Sequence, residues 1–505
     1  MIVDANSNGR EALRSPFDVC VVGGGPAGVS LARKLASTGL RVALIEGGGL
    51  EFSQQSQDLY AGEVIGQEYY PTDATRLRFF GGTSNHWGGR CRPLEANDFV
   101  AHPYHPLSGW PITKTDLDPY AAETDDILDL PDADVFPDRT DQYAGEDMTI
   151  IRFRQSPPTR IGEKYRGEIE ASQAITLALN ANLVDLELDP ALRTVTGAAL
   201  KSYTPGDPGF TVAARCYCLC MGGLENPRFL LNMSRQIPVG IGNQNDLVGR
   251  FFAEHLAYKV GRVLFEDEVP TRRGYEPAPV LMDAEEILNF NMLVDTKGRE
   301  FTKELARSVA CSSDFAERLA AAVLGRSLNC EFGGIGEYFE NLNADDRHIG
   351  SIGLIIEQSL NRDSRVLLTD EVDIFGLRKL ALDWRFSELD QHTLQTAAML
   401  IAERFADRRV GRVQLSDWVL AEPFVWPQMS DGKGEVGLHH HLCTTRMSRD
   451  PRTGVVDANC RVHGMSNLYV AGSSVFATGG HANPTYTIVQ LTLRLGDHLR
   501  ERLAD

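Results

Sequence analysis

The chain has 505 residues, about three times a typical domain of roughly 150, so its length predicts two to four domains. Hydrophobic residues make up 43% and charged residues 24%, a globular composition that excludes a disordered, fibrous or collagen-like chain. The net charge of −19 argues against nucleic acid or an anionic membrane as partner, because phosphate binding needs a basic face.

The first twenty residues are polar and predict no secretion signal. Residues 17–22, FDVCVV, form a β-branched apolar run. A glycine cluster follows, then VSLARKLASTGL with helical spacing up to Gly39, then the run RVALIE at 41–46. This is strand, turn, helix, strand. Residues 51–110 read as loop-rich, and 120–130 and 161–180 carry helical patterns. Residues 181–220 read as short strands with turns at Asp189-Pro190 and Pro205-Gly206-Asp207. A helix is predicted around AERLAAAVL in 316–324, strands at 351–358 and 364–368, and a long amphipathic helix at 387–406. The chain closes on a strand, NLYVAG, and a helix opening at NPTYTIV. No stretch reaches the roughly 18 apolar residues that span a membrane. The nine cysteines include no CxxC pair with metal-like spacing, and Cys216, Cys218 and Cys220 alternate along one strand face. They read as reduced, buried thiols of a cytoplasmic protein, with no metal site.

Gly23-x-Gly25-x-x-Gly28 lies between the first strand and the first helix. One glycine permits the tight turn, one lets the backbone approach a pyrophosphate, and one lets helix and strand pack closely. The helix N-terminus offers unpaired N–H groups and partial positive charge to the phosphates. Glu46, ending the second strand, is placed to accept from ribose hydroxyls. The pattern predicts dinucleotide binding and does not by itself separate NAD from FAD.

The C-terminal stretch carries His440, Thr444 to Met447, Gly454 to Asp457, Val462 to Phe476, and Asn483-Pro484-Thr485. In that order these pieces resemble the ending of the glucose–methanol–choline (GMC) flavin oxidoreductases. GGTSNHWGGR (81–90), CMGGLENPRFLLNMS (220–234) and LVGRFFAEH (247–255) resemble further blocks of the same family. His440 paired with Asn483, together with residues 357–390, resembles the pyranose 2-oxidase, fructose dehydrogenase and glycoside 3-oxidase branch.

The resemblance implies an α/β fold: a discontinuous, Rossmann-like FAD-binding domain, and a substrate domain with a large antiparallel sheet flanked by helices. It implies residues 1–105, 170–260 and 425–505 for the first, and 106–169 and 261–424 for the second. It implies FAD as cofactor and a sugar or glycoside as substrate, oxidised at a secondary hydroxyl on C2 or C3. The electron acceptor would be O2, a quinone or a redox protein. The alternatives within the family are a non-sugar alcohol, aryl or amino, and a lyase.

His440 would be the base that removes the hydroxyl proton, and Asn483 would bind the same oxygen. Asn483 is neutral, so His440 is expected to be the only titrating member of the pair. The run His439-His440-His441 also admits a metal reading, but neighbouring side chains on an extended chain face opposite ways and chelate poorly. Gly82, Thr83, Asn85 and His86 would lie near the isoalloxazine ring, and the resemblance allows a covalent flavin link at His86 without requiring it. The strand backbone at Val184 would meet the adenine side. Gly222, Gly472 and Ser473 would approach the cofactor, and Asn483 and Thr485 would open the last helix beside it. His481 and Gln358 read either as sugar-hydroxyl ligands or as structural polar residues.

Overall fold

The computed structural model describes residues 1–132, 147–233, 235–266, 273–296, 349–429 and 437–504. The helix expected at 316–324 lies outside the described residues. The opening unit forms as read, with strand Phe17–Val22, helix Pro26–Ala36 and strand Val42–Ile45. Val42–Ile45 is fully buried, and only Asp18 of the first strand reaches the surface. Strands covered on both faces read as unbroken apolar runs, which is why the sequence displays them so plainly.

These two strands sit inside a six-stranded parallel sheet. Its order is Ile2–Asp4, Ile175–Leu179, Val42–Ile45, Phe17–Val22, Ala214–Leu219 and Leu468–Val470. The chain therefore returns to this sheet from its middle and again near its end. Helix Pro26–Ala36 packs against the final helix, Thr485–Ala504. Val22 pairs with Ile45 on one side and Leu219 on the other, and Leu219 pairs with Val470. The carboxyl ends of these strands converge on one crevice, the position where open α/β sheets bind ligands.

A second six-stranded sheet is antiparallel, in the order Gly411–Leu415, His255–Phe265, Ile349–Glu357, Phe290–Thr296, Arg273–Pro277 and Met148–Ile151. Its register sets His255 opposite Glu357. Helix Glu388–Asp407 packs across it and starts with a capping box. Ser387 Oγ accepts from the Asp390 amide, and Asp390 Oδ2 accepts from the Ser387 amide at 2.7 Å. The other Asp390 oxygen accepts from the Ser359 amide at 2.7 Å, fastening the helix start to the end of a sheet strand.

Two parts of the reading change. The pattern at 161–180 divides into helix Ile161–Ala171 and strand Ile175–Leu179, because a short apolar run such as ITLAL suits a buried strand as well as a helix. The stretch 106–169, expected beside the substrate sheet, mostly packs elsewhere. Trp110, Ile112, Leu117, Ile127, Leu128, Ile161, Tyr165 and Ile169 join the core around the parallel sheet. The strand Met148–Ile151 is the part of that stretch in the antiparallel sheet. The apolar faces of these short helices cover the parallel sheet's own helices, a role that periodicity alone does not assign. A separate core under the antiparallel sheet holds Tyr258, Tyr275, Phe290, Trp384, Phe405 and their neighbours.

Candidate active site

A cavity of about 520 Å³ runs from the Gly23 turn to the His440 loop. At one end the glycines do what their spacing requires. Gly23 has φ +112°, and a Cβ there would stand 2.5 Å from the Cys220 carbonyl oxygen. A Cβ on Gly28 would stand 1.8 Å from the Gly23 carbonyl oxygen, so Gly28 is a packing position under the turn and not part of the cavity wall. Gly25 faces bare backbone, with Gly82 Cα at 3.9 Å from its missing Cβ. Gly222 and Gly472 meet in the same way on the opposite wall, at 4.0 Å. Two facing pairs of glycines leave a groove lined by backbone, the shape a long dinucleotide needs. Helix Pro26–Ala36 starts there, with its first-turn amides at the wall.

Glu46 is buried beside this groove. Its Oε2 accepts the Gly24 N–H at 2.8 Å and its Oε1 accepts the Gly48 N–H at 2.7 Å. Each oxygen keeps a second lone pair for a hydroxyl donor. Tyr60, Arg76 and Arg78 line the same end and were not singled out in the sequence, because they fall in a loop-rich region without a motif. Arg78 bonds Asn182 Oδ1 at 2.9 Å and the Tyr203 hydroxyl at 2.7 Å, and Arg76 lies 3.9 Å over the Tyr60 ring. Buried Glu225 takes Arg76 at 3.3 Å and Arg228 at 2.6 Å. Burial opposes its charge, but the two guanidiniums outweigh it and hold its carboxyl below the usual range.

Gly82, Thr83 and His86 line the cavity midway. Their loop is pinned from behind, where Arg160 donates to the Ser84 carbonyl at 2.7 Å and Trp87 Nε1 donates to the Thr159 carbonyl at 2.8 Å. Burial, then the nearby Arg160 charge, lowers the His86 pKa and keeps the ring neutral.

At the far end the three consecutive histidines point three ways. His439, at φ +62°, sets its ring against Tyr70 with centroids 4.5 Å apart. His441 Nε2 meets the Tyr69 hydroxyl at 3.0 Å. His440 Nε2 meets Asn483 Nδ2 at 3.2 Å, and His440 Nδ1 meets His255 Nδ1 at 2.8 Å. Burial first, then the potential charges of His255, His441, His439 and Arg90, pushes the His440 pKa well below the usual value. The imidazole is therefore neutral, as a proton acceptor must be. The backbone carrying it is clamped by Glu254, whose two oxygens accept the Leu438 and His440 amides. Burial pushes the Glu254 pKa up to about 8, against those backbone bonds. Geometry favours the carboxylate, since both oxygens act as acceptors from N–H.

Within the pair with Asn483, His440 is the titrating member, but a second imidazole stands on its other side. That ring is His255, and its one sequence signal is the end of the LVGRFFAEH block. The loop leading to Asn483 is fastened to both sheets. Trp110 Nε1 donates to Thr478 Oγ1 at 2.9 Å, the Gly480 amide donates to Glu357 Oε1 at 2.9 Å, and His481 Nε2 pairs with Glu276 Oε2 at 2.8 Å.

Gly23, Gly25, Glu46, Gly82, Thr83, His86, Gly222, His440, Gly472, Ser473, Asn483 and Thr485 all line the one cavity. Four others do not. Asn85 turns its amide to the Phe80 carbonyl at 3.0 Å. Val184 faces a separate open groove, while the preceding residue, Leu183, faces the cavity, because side chains alternate along a strand. Gln358 is 1% exposed. It accepts from the Glu254 amide and from Trp384 Nε1, each at 2.9 Å, and donates to the Arg385 carbonyl at 2.9 Å. His481 serves the Glu276 pair. Gln358 has its amide oxygen and nitrogen engaged by protein groups, and His481 engages Nε2 with Glu276.

Residues 361–492 match the family model for GMC oxidoreductase, and residues 18–129 match the model for FAD dependent oxidoreductase. The chain is 25% identical to 2-methyl-1,2-propanediol dehydrogenase of Mycolicibacterium austroafricanum, over 97% of this chain and 96% of that one. It is 23% identical to the fructose dehydrogenase large subunit of Gluconobacter japonicus, over 95% and 97%. Over 31% of its length it is 29% identical to a C-glycoside 3-oxidase of Microbacterium trichothecenolyticum, covering 28% of that protein. Its fold resembles that of a fungal aryl-alcohol oxidase, with a TM-score of 0.60 at 14% identity over 98% of this chain and 100% of the other. Among the described residues, no helix is long and apolar enough to cross a membrane. The backbone-lined groove, the buried acid at one end and the neutral histidine at the other agree with both family models: the chain carries a GMC oxidoreductase C-terminal domain and an FAD dependent oxidoreductase domain, and is an FAD-dependent oxidoreductase of alcohols or sugars.

Proposed function

We propose that this enzyme oxidises a secondary hydroxyl of a sugar or glycoside, at C2 or C3, to the keto-sugar. The observation that carries the reading is His440 Nε2 set 3.2 Å from Asn483 Nδ2 at the wall of the FAD-sized groove. When bound, the flavin supplies the acceptor for the carbinol hydride. The protein's part is to hold the hydroxyl against His440 Nε2, which takes its proton, while the Asn483 amide donates to the same oxygen as it becomes negative. Gly23, Gly25 and the start of helix Pro26–Ala36 would hold the pyrophosphate, with Gly222, Gly472 and Ser473 opposite. Glu46 would hold the ribose, and Tyr60 and Arg78 the adenosine end. Gly82, Thr83, His86 and Thr485 would flank the flavin ring system. The core around the parallel sheet would be the FAD-binding domain and the core under the antiparallel sheet the substrate-binding domain. Buried free thiols support a reducing compartment such as the cytoplasm.

The sugar assignment is supported by the 357–390 block and by relatives named for fructose and C-glycosides. A non-sugar alcohol is the second reading, supported by the diol dehydrogenase aligned along nearly the whole chain. Anaerobic stopped-flow bleaching of the holoenzyme separates them. Rapid bleaching by a monosaccharide or glycoside supports the first reading. Bleaching by an aryl, amino or aliphatic alcohol, with none by any sugar, would replace it with the second. Reoxidation in air, against a quinone, then identifies the acceptor as O2 or a quinone-type partner.

A further inference from the structure

His255 is assigned no part in the reading above, yet its contact to the ring of the proposed base is shorter than that of Asn483. It sits on strand His255–Phe265, opposite Glu357 on the neighbouring strand, and is 1% exposed. Its Nδ1 lies 2.8 Å from His440 Nδ1, with the two rings nearly perpendicular at 81° and centroids 4.9 Å apart. A contact this short between two ring nitrogens is a hydrogen bond in which one carries the proton and the other accepts it.

Asn483 fixes which is which. Its Nδ2 can only donate, so His440 Nε2 accepts and carries no hydrogen. A neutral imidazole with a bare Nε2 must carry its hydrogen on Nδ1. His440 Nδ1–H therefore donates to His255 Nδ1, and His255 carries its own hydrogen on Nε2. That nitrogen is buried against the loop before Asn483, 3.6 Å from where a Cβ on Gly479 would stand.

We propose that His255 is the positioning residue that holds His440 in the tautomer with Nε2 free for the substrate hydroxyl. The inference rests on the reading of His440 as the base. Such a partner to a catalytic histidine is often a carboxylate, which both fixes the tautomer and stabilises the imidazolium by its charge. His255 is neutral, since burial pushes its pKa down to about 4. It fixes the tautomer without adding negative charge to the site. The nearby carboxyls do not contact His440's ring: Glu254 is occupied with backbone amides, and Glu357 is occupied with the Gly480 amide. When His440 takes the hydroxyl proton on Nε2, the O–H bond breaks and the N–H bond forms. The Nδ1 proton is then shared with, or passes to, His255 Nδ1, and the new positive charge spreads over two rings.

The test uses three substitutions that differ in where they place an acceptor. The Asn side-chain oxygen falls close to the position of the histidine Nδ1, the Gln oxygen falls farther out, and Leu offers none. His255→Leu and His255→Gln are expected to lower the limiting rate of flavin reduction about 10²-fold with little change in the substrate's half-saturation, as removal of tautomer control should. His255→Asn should recover to within about fivefold of the parent rate. Rates within about threefold of the parent in all three variants, or an equal loss in all three, would overturn the proposal. His440→Ala is the control: near-normal reduction there overturns the base reading itself, whereas a dead His440→Ala with an unaffected His255 series overturns only this inference. Histidine-selective ¹⁵N NMR of the unmutated holoenzyme gives a readout independent of variant folding. One histidine should show the Nδ1–H tautomer, with its signals absent from His440→Ala. An Nε2–H pattern for that residue overturns the proposal.

Discussion

His440 Nε2 and Asn483 Nδ2 lie 3.2 Å apart although 43 positions separate them in the chain. The two are held by different devices, His440 by the Glu254 clamp on its backbone and Asn483 by the loop fastened at Thr478, Gly480 and His481. A base so placed contributes on the order of 10²–10⁴-fold to rate. His440→Ala should therefore slow substrate-driven flavin bleaching by at least about a hundredfold, with flavin content unchanged, as read by stopped-flow absorbance.

Gly28 tests the groove. An alanine there would push its Cβ into the Gly23 carbonyl oxygen, 1.8 Å away, a backbone atom that cannot swing aside. Gly28→Ala should destabilise the chain by about 1–3 kcal/mol and purify with much less flavin, as read by thermal melts and the flavin-to-protein absorbance ratio. A fully loaded variant of normal stability would contradict the packing role.

Gln358 tests the correction from substrate ligand to structural anchor. Gln358→Leu leaves the Glu254 amide and the Trp384 indole N–H buried without their acceptor. At about 1–3 kcal/mol for each orphaned donor, a loss of roughly 2–6 kcal/mol is expected in denaturant titration. The half-saturating substrate concentration of the folded fraction should stay within about threefold. The opposite pattern, normal stability with a tenfold weaker substrate, would return Gln358 to the substrate site.

Glu357 gives the pH dependence a sign. Burial, then the charge of Asp98, raises its pKa from 4.5 to about 8, so the folded chain holds a proton that the unfolded chain has lost. The stability this contributes is complete below 4.5 and is gone above about 8, because stability falls with pH wherever the native state binds the extra proton. His255 acts in the other direction, since its lowered pKa costs stability only on the acid side of 6.5. Between pH 6.5 and 8.5 melting temperatures should fall, and Glu357→Gln, which mimics the neutral acid, should fall less. A melting difference between variant and parent that does not grow with pH across this range would sink the assignment.

The sequence alone determined the first strand–turn–helix–strand unit and the glycine turn, and it singled out His440 and Asn483, which the fold sets side by side. Each is encoded locally: buried parallel strands are continuous apolar runs, tight turns need glycine at fixed offsets, and the chemical residues sit in short blocks. The tertiary structure decided what depends on chain segments meeting. Strand alternation turns the Leu183 side chain to the cavity and the Val184 side chain to the groove on the other face. Gln358 and His481 carry polar side chains near the site in sequence, but only packing reveals that Trp384, the Glu254 amide and Glu276 already occupy them. Tyr60, Arg76 and Arg78 reach the groove from a loop without periodicity. The most consequential case is His255. Its contact with His440 spans 185 positions and is created by the register of one antiparallel strand against the closing loop, a relation between distant segments that neither segment encodes alone.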